Sequence, residues 1–292
     1  MAALSERFDA VLENPQIEVL IETEHDEITS FAVLSHGHVE GSTRRPESRV
    51  EFPSWLTGPE LVEMAVARAR ARGAEVLCAN VPVDEPEQCA IYVAAGMLAE
   101  CKRIVLDLDR FGAKAPQNAS RDASALRRVL ERSTRSTEVR PAEYSDRLFL
   151  MLLASECVTM MFHQRRESEL AAIHERFFDS YARLDFDHES TLRAWVASVA
   201  DGSLAGSILI EPLQAQMPDG RWQAYINDLS VLPAYWGRSV GAALALQAIE
   251  ALQEQGVRYL TADVSTDNQR VWSLAHRLGF VEESLRFVTL LT

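Results

Sequence analysis

The chain repeats itself once, in register, over most of a domain's length. Gly58, Gly73 and Gly96 each stand 183 positions before Gly241, Gly256 and Gly279 (241 − 58 = 183). Between them Leu61, Ala65, Leu77, Ala79, Val81 and Asp84 meet Leu244, Ala248, Leu260, Ala262, Val264 and Asp267 at the same offset. Glu100 and Arg103 continue the series onto Glu283 and Arg286. So long a period denotes two copies of one domain rather than a solenoid of short units. With 292 residues to share, each copy has the size of an ordinary domain.

Local patterning gives both copies alternating strands and helices. In the first, Ile17–Thr23, Ser30–Val39 and Arg49–Trp55 read as strands. Pro59 opens a helix with the apolar stripe Leu61, Val62, Ala65, Val66 and Ala69, and Gly73 ends it. Glu75–Val81 is then a continuous apolar strand, Pro86–Ala95 a helix stopped by Gly96, and Lys102–Asp109 a closing strand. Residues 111–136 shift to Ala, Ser, Asn, Gln and Arg, the composition of a linker between domains 1–110 and 137–292.

The second copy starts with a strand at Glu138–Arg140 and helices from about Glu143, over Glu167–Leu184 and near Thr191–Ala200. Strands Ser203–Ile210 and Ala224–Val231 flank a Pro/Asp/Gly-rich loop, Pro212 to Gly220. After the turn Pro233–Gly241 come helix Ala242–Gln255, strand Tyr259–Val264, helix Asn268–Leu278 and strand Phe287–Leu291. The chemistry concentrates in that turn, Pro-Ala-Tyr-Trp-Gly-Arg-Ser-Val-Gly. Glycines let successive backbone N–H groups converge, and the following helix start adds unpaired donors and a partial positive charge. Such a strand–turn–helix suits a diphosphate, and Arg238 can add a charge-assisted contact.

The stretch from Val231 to Leu244 resembles the acetyl-CoA signature of the GNAT superfamily of N-acetyltransferases, whose turn runs Arg/Gln-x-x-Gly-x-Gly/Ala. Downstream, Asp267-Asn-Gln-Arg-Val-Trp-Ser-Leu-Ala-His-Arg-Leu-Gly-Phe280 resembles the family's second signature, an Asn-initiated helix ending in Gly-Phe. The resemblance covers the second half. It implies an α/β fold of two tandem GNAT-like domains, each a mixed, mostly antiparallel twisted sheet flanked by helices. A splayed parallel strand pair lies in each. Such tandem architecture resembles that of mycothiol synthase, an analogy that assigns no substrate.

What the resemblance implies for the site follows residue by residue. Trp236, Gly237, Arg238, Ser239, Val240, Gly241 and Ala242 would cradle the diphosphate of acetyl-CoA. Leu229 and Val231 would offer main chain to the pantetheine arm as an added strand does, and Asn268 would sit near that arm. Leu229 and Val231 also fit a strand in the core, and Asn268 fits a plain helix N-cap. Two positions depart from the pattern. Trp236 replaces the usual Arg or Gln, and Ser239 replaces a glycine, which is tolerable only if that position needs no positive φ.

Acetyl transfer to an amine needs a base for the ammonium, and an acid often protonates the departing thiolate. The family's frequent tyrosine acid falls at Ala275, which has no hydroxyl; Tyr235, Ser273 and His276 are within reach in sequence. Asp228 is the candidate base, with a water-mediated route as the alternative and Asn227 on the opposite strand face. The expected activity is transfer of acetyl from acetyl-CoA to a primary amine of a small molecule, the alternative being a non-catalytic acyl-CoA-binding or scaffold protein. In the first copy Pro53 to Gly58 is shorter than its counterpart, no Gly-Arg cluster remains, and Glu85 replaces Asn268. Tyr92 stands where the acid would be but reads as a core aromatic, so this copy is a degenerate domain.

Composition excludes several classes. A formal net charge of −14 repels phosphate backbones, so no nucleic-acid partner is expected; it would suit a cationic or amine substrate, although most acidic surfaces only confer solubility. Leu148–Phe162 is apolar apart from Glu156, but fifteen helical residues span about 22 Å, short of the ~30 Å hydrocarbon core. No membrane partner is expected, and a homodimer is compatible with these features. No basic-then-apolar leader opens the sequence, and the four cysteines lack CxxC spacing, which together suggest reduced cytoplasmic thiols. His36-Gly-His38 has no evident third ligand, so no metal is expected. Arg44, Arg45 and Arg49 read as solvated loop charges.

Overall fold

The computed structural model describes residues 14–24, 27–39, 45–51, 59–111, 136–161, 169–182, 184, 186, 192–213 and 222–291. Two compact units emerge, one from Met1–Lys102 with Glu283–Thr292, the other from Arg103–Glu282. Each packs its own core, and by contact the last ten residues go with the first unit. Most of the linker stretch and the loop after Leu213 lie outside the described residues.

In the first unit β1 (Ile17–Glu24), β2 (Glu27–Val39) and β3 (Pro46–Glu51) form an antiparallel meander. Pro59, with its fixed φ, opens α1 (Pro59–Ala71), which buries Leu61, Val62, Ala65 and Ala69 as one stripe. β4 (Val76–Pro82) runs parallel to β3 from Glu47–Val76 to Val50–Ala79. Covered on both faces, β4 is apolar nearly throughout, as a central strand must be. α2 (Pro86–Ala94) and β5 (Leu98–Asp107) follow.

The second unit opens with β6 (Thr137–Pro141), a 3-10 turn at Tyr144–Asp146, α3 (Arg147–Met161) and α4 (Leu170–Ala182). Next come β7 (Arg193–Val199), β8 (Leu204–Leu213), β9 (Trp222–Val231), α5 (Val240–Glu254), β10 (Val257–Ser265), α6 (Gln269–Leu278) and β11 (Val281–Leu290). The sheet order here is β5-β10-β9-β8-β7-β6, antiparallel except for β9 beside β10. α5 seats its alanine- and leucine-rich side on one sheet face. Tyr181 and Leu184 pack with Leu150, Ala154, Val196 and Leu209 on the other. The α/β class with a mixed, mostly antiparallel sheet, flanking helices and a parallel pair is thus as the sequence implies.

One expected helix is a strand. Residues 191–200 read as helical, yet Arg193–Val199 is β7, paired to β6 on one side and β8 on the other. Its Trp195, Val196 and Ala197 are buried, and two flanking ladders outweigh a weak local helix preference.

The repeat offset carries β5 (98–107) onto β11 (281–290) residue for residue, and the two strands are exchanged. β11, the last strand of the second copy, pairs antiparallel with β4 of the first, from Ser284–Pro82 to Leu290–Val76. β5, the last strand of the first copy, stands beside β10. There Arg103 makes two hydrogen bonds of 3.0 Å to the Asp263 carboxylate, and Leu108 N–H donates to Arg258 O at 2.7 Å. In the first unit Phe287 of β11 is buried and stacks on Tyr92, centroids 5.2 Å apart. Truncating that ring should cost about 3–5 kcal/mol. In Phe287→Ala, hydrogen exchange should therefore speed up in α1 and β4 while α5 and β10 stay protected. Loss of protection in α5 and β10 instead would refute the exchanged strand.

Candidate functional site

The ladder between β9 and β10 stops early. Its parallel register runs from Trp222–Val257 to Ile226–Ala262 and no further, so Asn227–Val231 and Asp263–Ser265 diverge. On its other edge β9 stays paired to β8 through Leu209–Asp228, Ile208–Leu229, Ser207–Ser230 and Gly206–Val231. The pairing skips Asn227, a bulge of the kind that bends a strand and re-aims side chains. Gly206 is required here. A Cβ on it would lie 2.7 Å from Ser230 O and 3.2 Å from Val240 Cγ1. Its bareness lets β9 and the start of α5 approach.

In the fork lies a cavity of about 450 Å³. One wall is the end of α3, with Cys157, Thr159 and Met160, and another is Leu229, Ser230 and Val231 of β9. Trp236 and Gly241 of the turn and Asp267 to Val271 with Leu274, at the start of α6, close it. Of the residues expected to bind cofactor, Leu229, Val231, Trp236, Gly241 and Asn268 line this cavity. Gly237, Arg238, Ser239, Val240 and Ala242 belong to the adjoining turn and helix start; the side chains of Val240 and Ala242 are core. Tyr235 is half-buried against that core, 5.6 Å below the Arg238 guanidinium, and does not reach the cavity wall.

The turn itself is open to an anion. Trp236 and Arg238 N–H donate to Pro233 O and Tyr235 O, and Ala243 N–H donates to Ser239 O. The Ser239 side chain makes no capping bond, so the first N–H groups of α5 keep their orientation outward from the helix start. Position 239 does need positive φ: Ser239 sits at +64°, the one non-glycine residue there among those described. Trp236 Nε1–H donates to Val231 O at 2.8 Å, and the Cys157 thiol approaches the same oxygen at 3.7 Å. Asn268 is a true N-cap, its Oδ1 accepting from Val271 N–H at 3.2 Å, while its amide donates to Met160 O at 3.2 Å. It thereby ties α6 to α3 across the cavity. Its counterpart Glu85 makes no side-chain cap.

Asp228 lies behind the wall rather than on it. Tyr181 Oη–H donates to its Oδ2, and Ser230 Oγ–H donates to its Oδ1 at 2.7 Å. Only 3% of Asp228 is exposed, and burial holds its carboxyl above the usual carboxylate range despite those donors. Burial first, and the Asp228 charge second, push the Tyr181 phenol well up. The same two causes raise the Cys157 thiol to about 11. Ser230 is the member of this chain that meets the cavity. Asn227 is turned elsewhere, donating to Glu211 at 3.2 Å. Ala275 is buried and His276 is exposed on α6. Among the described residues no group of three or more His, Cys, Asp or Glu is placed to hold a metal. His36 and His38 instead bond Ser48 and Ser35. No helix of the described residues is long and apolar enough to cross a membrane.

These features accord with known proteins. Residues 158–280 match the Acetyltransferase (GNAT) family model. A comparison with curated proteins returns no match. Among solved structures, a GCN5-related N-acetyltransferase from Sphaerobacter thermophilus aligns at 15% identity and TM-score 0.53, covering 100% of this chain and 86% of that one. A conserved protein of unknown function from Staphylococcus epidermidis ATCC 12228 aligns at 12% and 0.54, over 91% and 92%. A tandem GNAT protein from the clavulanic acid biosynthesis pathway aligns at 17% and 0.47, over 95% and 84%. The fold is therefore that of a GCN5-related N-acetyltransferase structure. Its segment 158–280 carries the match to the GNAT acetyltransferase family.

Sequence reasoning missed Ser230, Tyr181, Cys157 and Gly206. Only Gly206 carried a readable signal, a glycine inside a β-strand pattern. The left-handed serine makes a test. Positive φ costs a non-glycine residue about 1–2 kcal/mol, partly offset by glycine's greater chain entropy. Ser239→Gly should raise the unfolding free energy in denaturant by up to about 1 kcal/mol. A loss of stability would mean that the left-handed turn is misassigned.

Proposed function

We propose that residues 137–292 transfer the acetyl group of acetyl-CoA directly to a primary amine of a small molecule. The cavity in the fork of β9 and β10 carries this reading, because it unites three requirements at one place. Beyond Ile226 the β9 main chain has no ladder on its β10 side and offers that edge to the pantetheine arm. The outward N–H groups of Val240, Gly241 and Ala242 offer a positive end to the diphosphate. A protic chain, Ser230–Asp228–Tyr181, ends on the wall between them.

Acetyl-CoA supplies an activated thioester when bound. The remaining work falls to the protein. With both carboxylate oxygens already engaged, Asp228 does not touch the acceptor directly. Ser230 Oγ accepts a proton from the ammonium while passing its own to Asp228 Oδ1, and the freed amine attacks the thioester carbon. The C–N bond forms, the C–S bond breaks, and the second proton lost by the nitrogen ends on the departing thiolate, which leaves as the free thiol of CoA. Tyr181 holds the carboxyl in place. A raised carboxyl pKa suits a base working near neutrality better than an ordinary one. No hydroxyl stands at Ala275 to protonate the thiolate, the feature that favours a non-catalytic acyl-CoA-binding protein as the second reading. Tight acetyl-CoA binding without thiol release over a broad amine panel would decide for that second reading.

Asp228→Asn and Ser230→Ala should each lower kcat about 10²–10⁴-fold, the usual worth of general-base catalysis. Acetyl-CoA affinity should change by less than about twofold, since neither side chain is assigned a cofactor contact. The acid limb of the kcat/KM profile should disappear in Asp228→Asn, because the base must be ionised to work. Full turnover in both variants would remove Asp228 from the reaction.

A further inference from the structure

The turn lacks the cationic or amide side chain that usually opens it, because Trp236 stands there. Its indole faces a cation all the same. The guanidinium carbon of Arg270, in the first turn of α6, lies 3.6 Å from the centroid of the Trp236 ring. That ring is itself fixed by the Nε1–H bond to Val231 O at 2.8 Å. The two residues come from different walls of the cavity, and among the described residues lining it Arg270 is the only Lys or Arg. Gly241, at the start of α5, lines the same cavity. Stacking engages only the flat face of a guanidinium. Its five N–H donors lie in the plane and stay available, the geometry that suits phosphate oxygens.

We propose that Arg270, held face-on by Trp236, is a phosphate-binding residue for the CoA nucleotide, acting with the helix start of α5. This rests on the acetyl-CoA reading of the site. The substitution at 236 then moves the cation rather than deleting it. A tryptophan in the turn supplies a platform, and a residue thirty-four positions later (270 − 236 = 34) supplies the charge.

Calorimetry on the full chain tests this, with acetyl-CoA, 3′-dephospho-CoA and acetyl-pantetheine as the probes. Arg270→Ala should weaken acetyl-CoA binding about tenfold to a hundredfold, the worth of hydrogen bonds to a charged group, with acetyl-pantetheine unaffected. Arg270→Lys should recover only part, because an ammonium neither stacks flat nor binds two oxygens. If the loss persists with 3′-dephospho-CoA the arginine serves the diphosphate; if it vanishes, the ribose phosphate. Equal affinity of Arg270→Ala and the parent for acetyl-CoA overturns the proposal. So does an equal loss for acetyl-pantetheine, which would mean that Arg270 merely supports α6. Absence of acetyl-CoA binding by the parent chain would instead overturn the reading of the site, and this proposal with it.

Discussion

The second unit depends on where the parallel ladder of β9 and β10 ends. Up to Ile226–Ala262 the two strands are ordinary core strands, covered by α5. Beyond it β9 continues only with β8, and the bulge at Asn227 turns its last residues. Buried main chain must find hydrogen-bond partners, so a strand edge left open toward a cavity invites an extended ligand. The neighbouring elements keep the fork open. Gly206 admits β9 against the helix start, Asn268 ties α6 to α3, and Trp236 is pinned to Val231.

Duplication supplied the material for a division of labour. Both copies retain the helix–strand–helix–strand run at a constant offset, and their last strands have equal length and exchange places. The exchange is feasible because β5 and β11 present equivalent patterns to equivalent edges. Where the copies differ, they differ in polar detail. Glu85 leaves α2 uncapped by a side chain whereas Asn268 caps α6, and Tyr92 fills one core where the smaller Ala275 packs in the other. In the proposed account the first copy keeps the packing, and the second keeps the chemistry.

Much of this was legible in the residues. The glycines and apolar stripes gave α1, β4, α2, α5, β10 and α6 because each is set by local periodicity and a helix stop. The turn at 236–241 was legible because its glycines and following helix are local too. What stayed hidden is non-local. β7 read as a helix because only its two partner strands make it a strand. The exchange of β5 and β11 was invisible because equivalent strands fit either edge. Tyr181 meets Asp228 across 47 residues, a pairing no motif announces. The conflict at Ser239 was visible as a departure, but only the backbone shows that the position does adopt positive φ.

The central claim is that one of two related copies holds the cofactor. Amide chemical shifts of the full chain, followed by NMR during titration with acetyl-CoA, test it most directly. The account predicts one molecule bound per chain, with shifts at Leu229–Val231 and Gly237–Ala242 and none at Glu60–Val62, the equivalent helix start of the first copy. Saturable shifts at Glu60–Val62, or none at Gly237–Ala242, would contradict it.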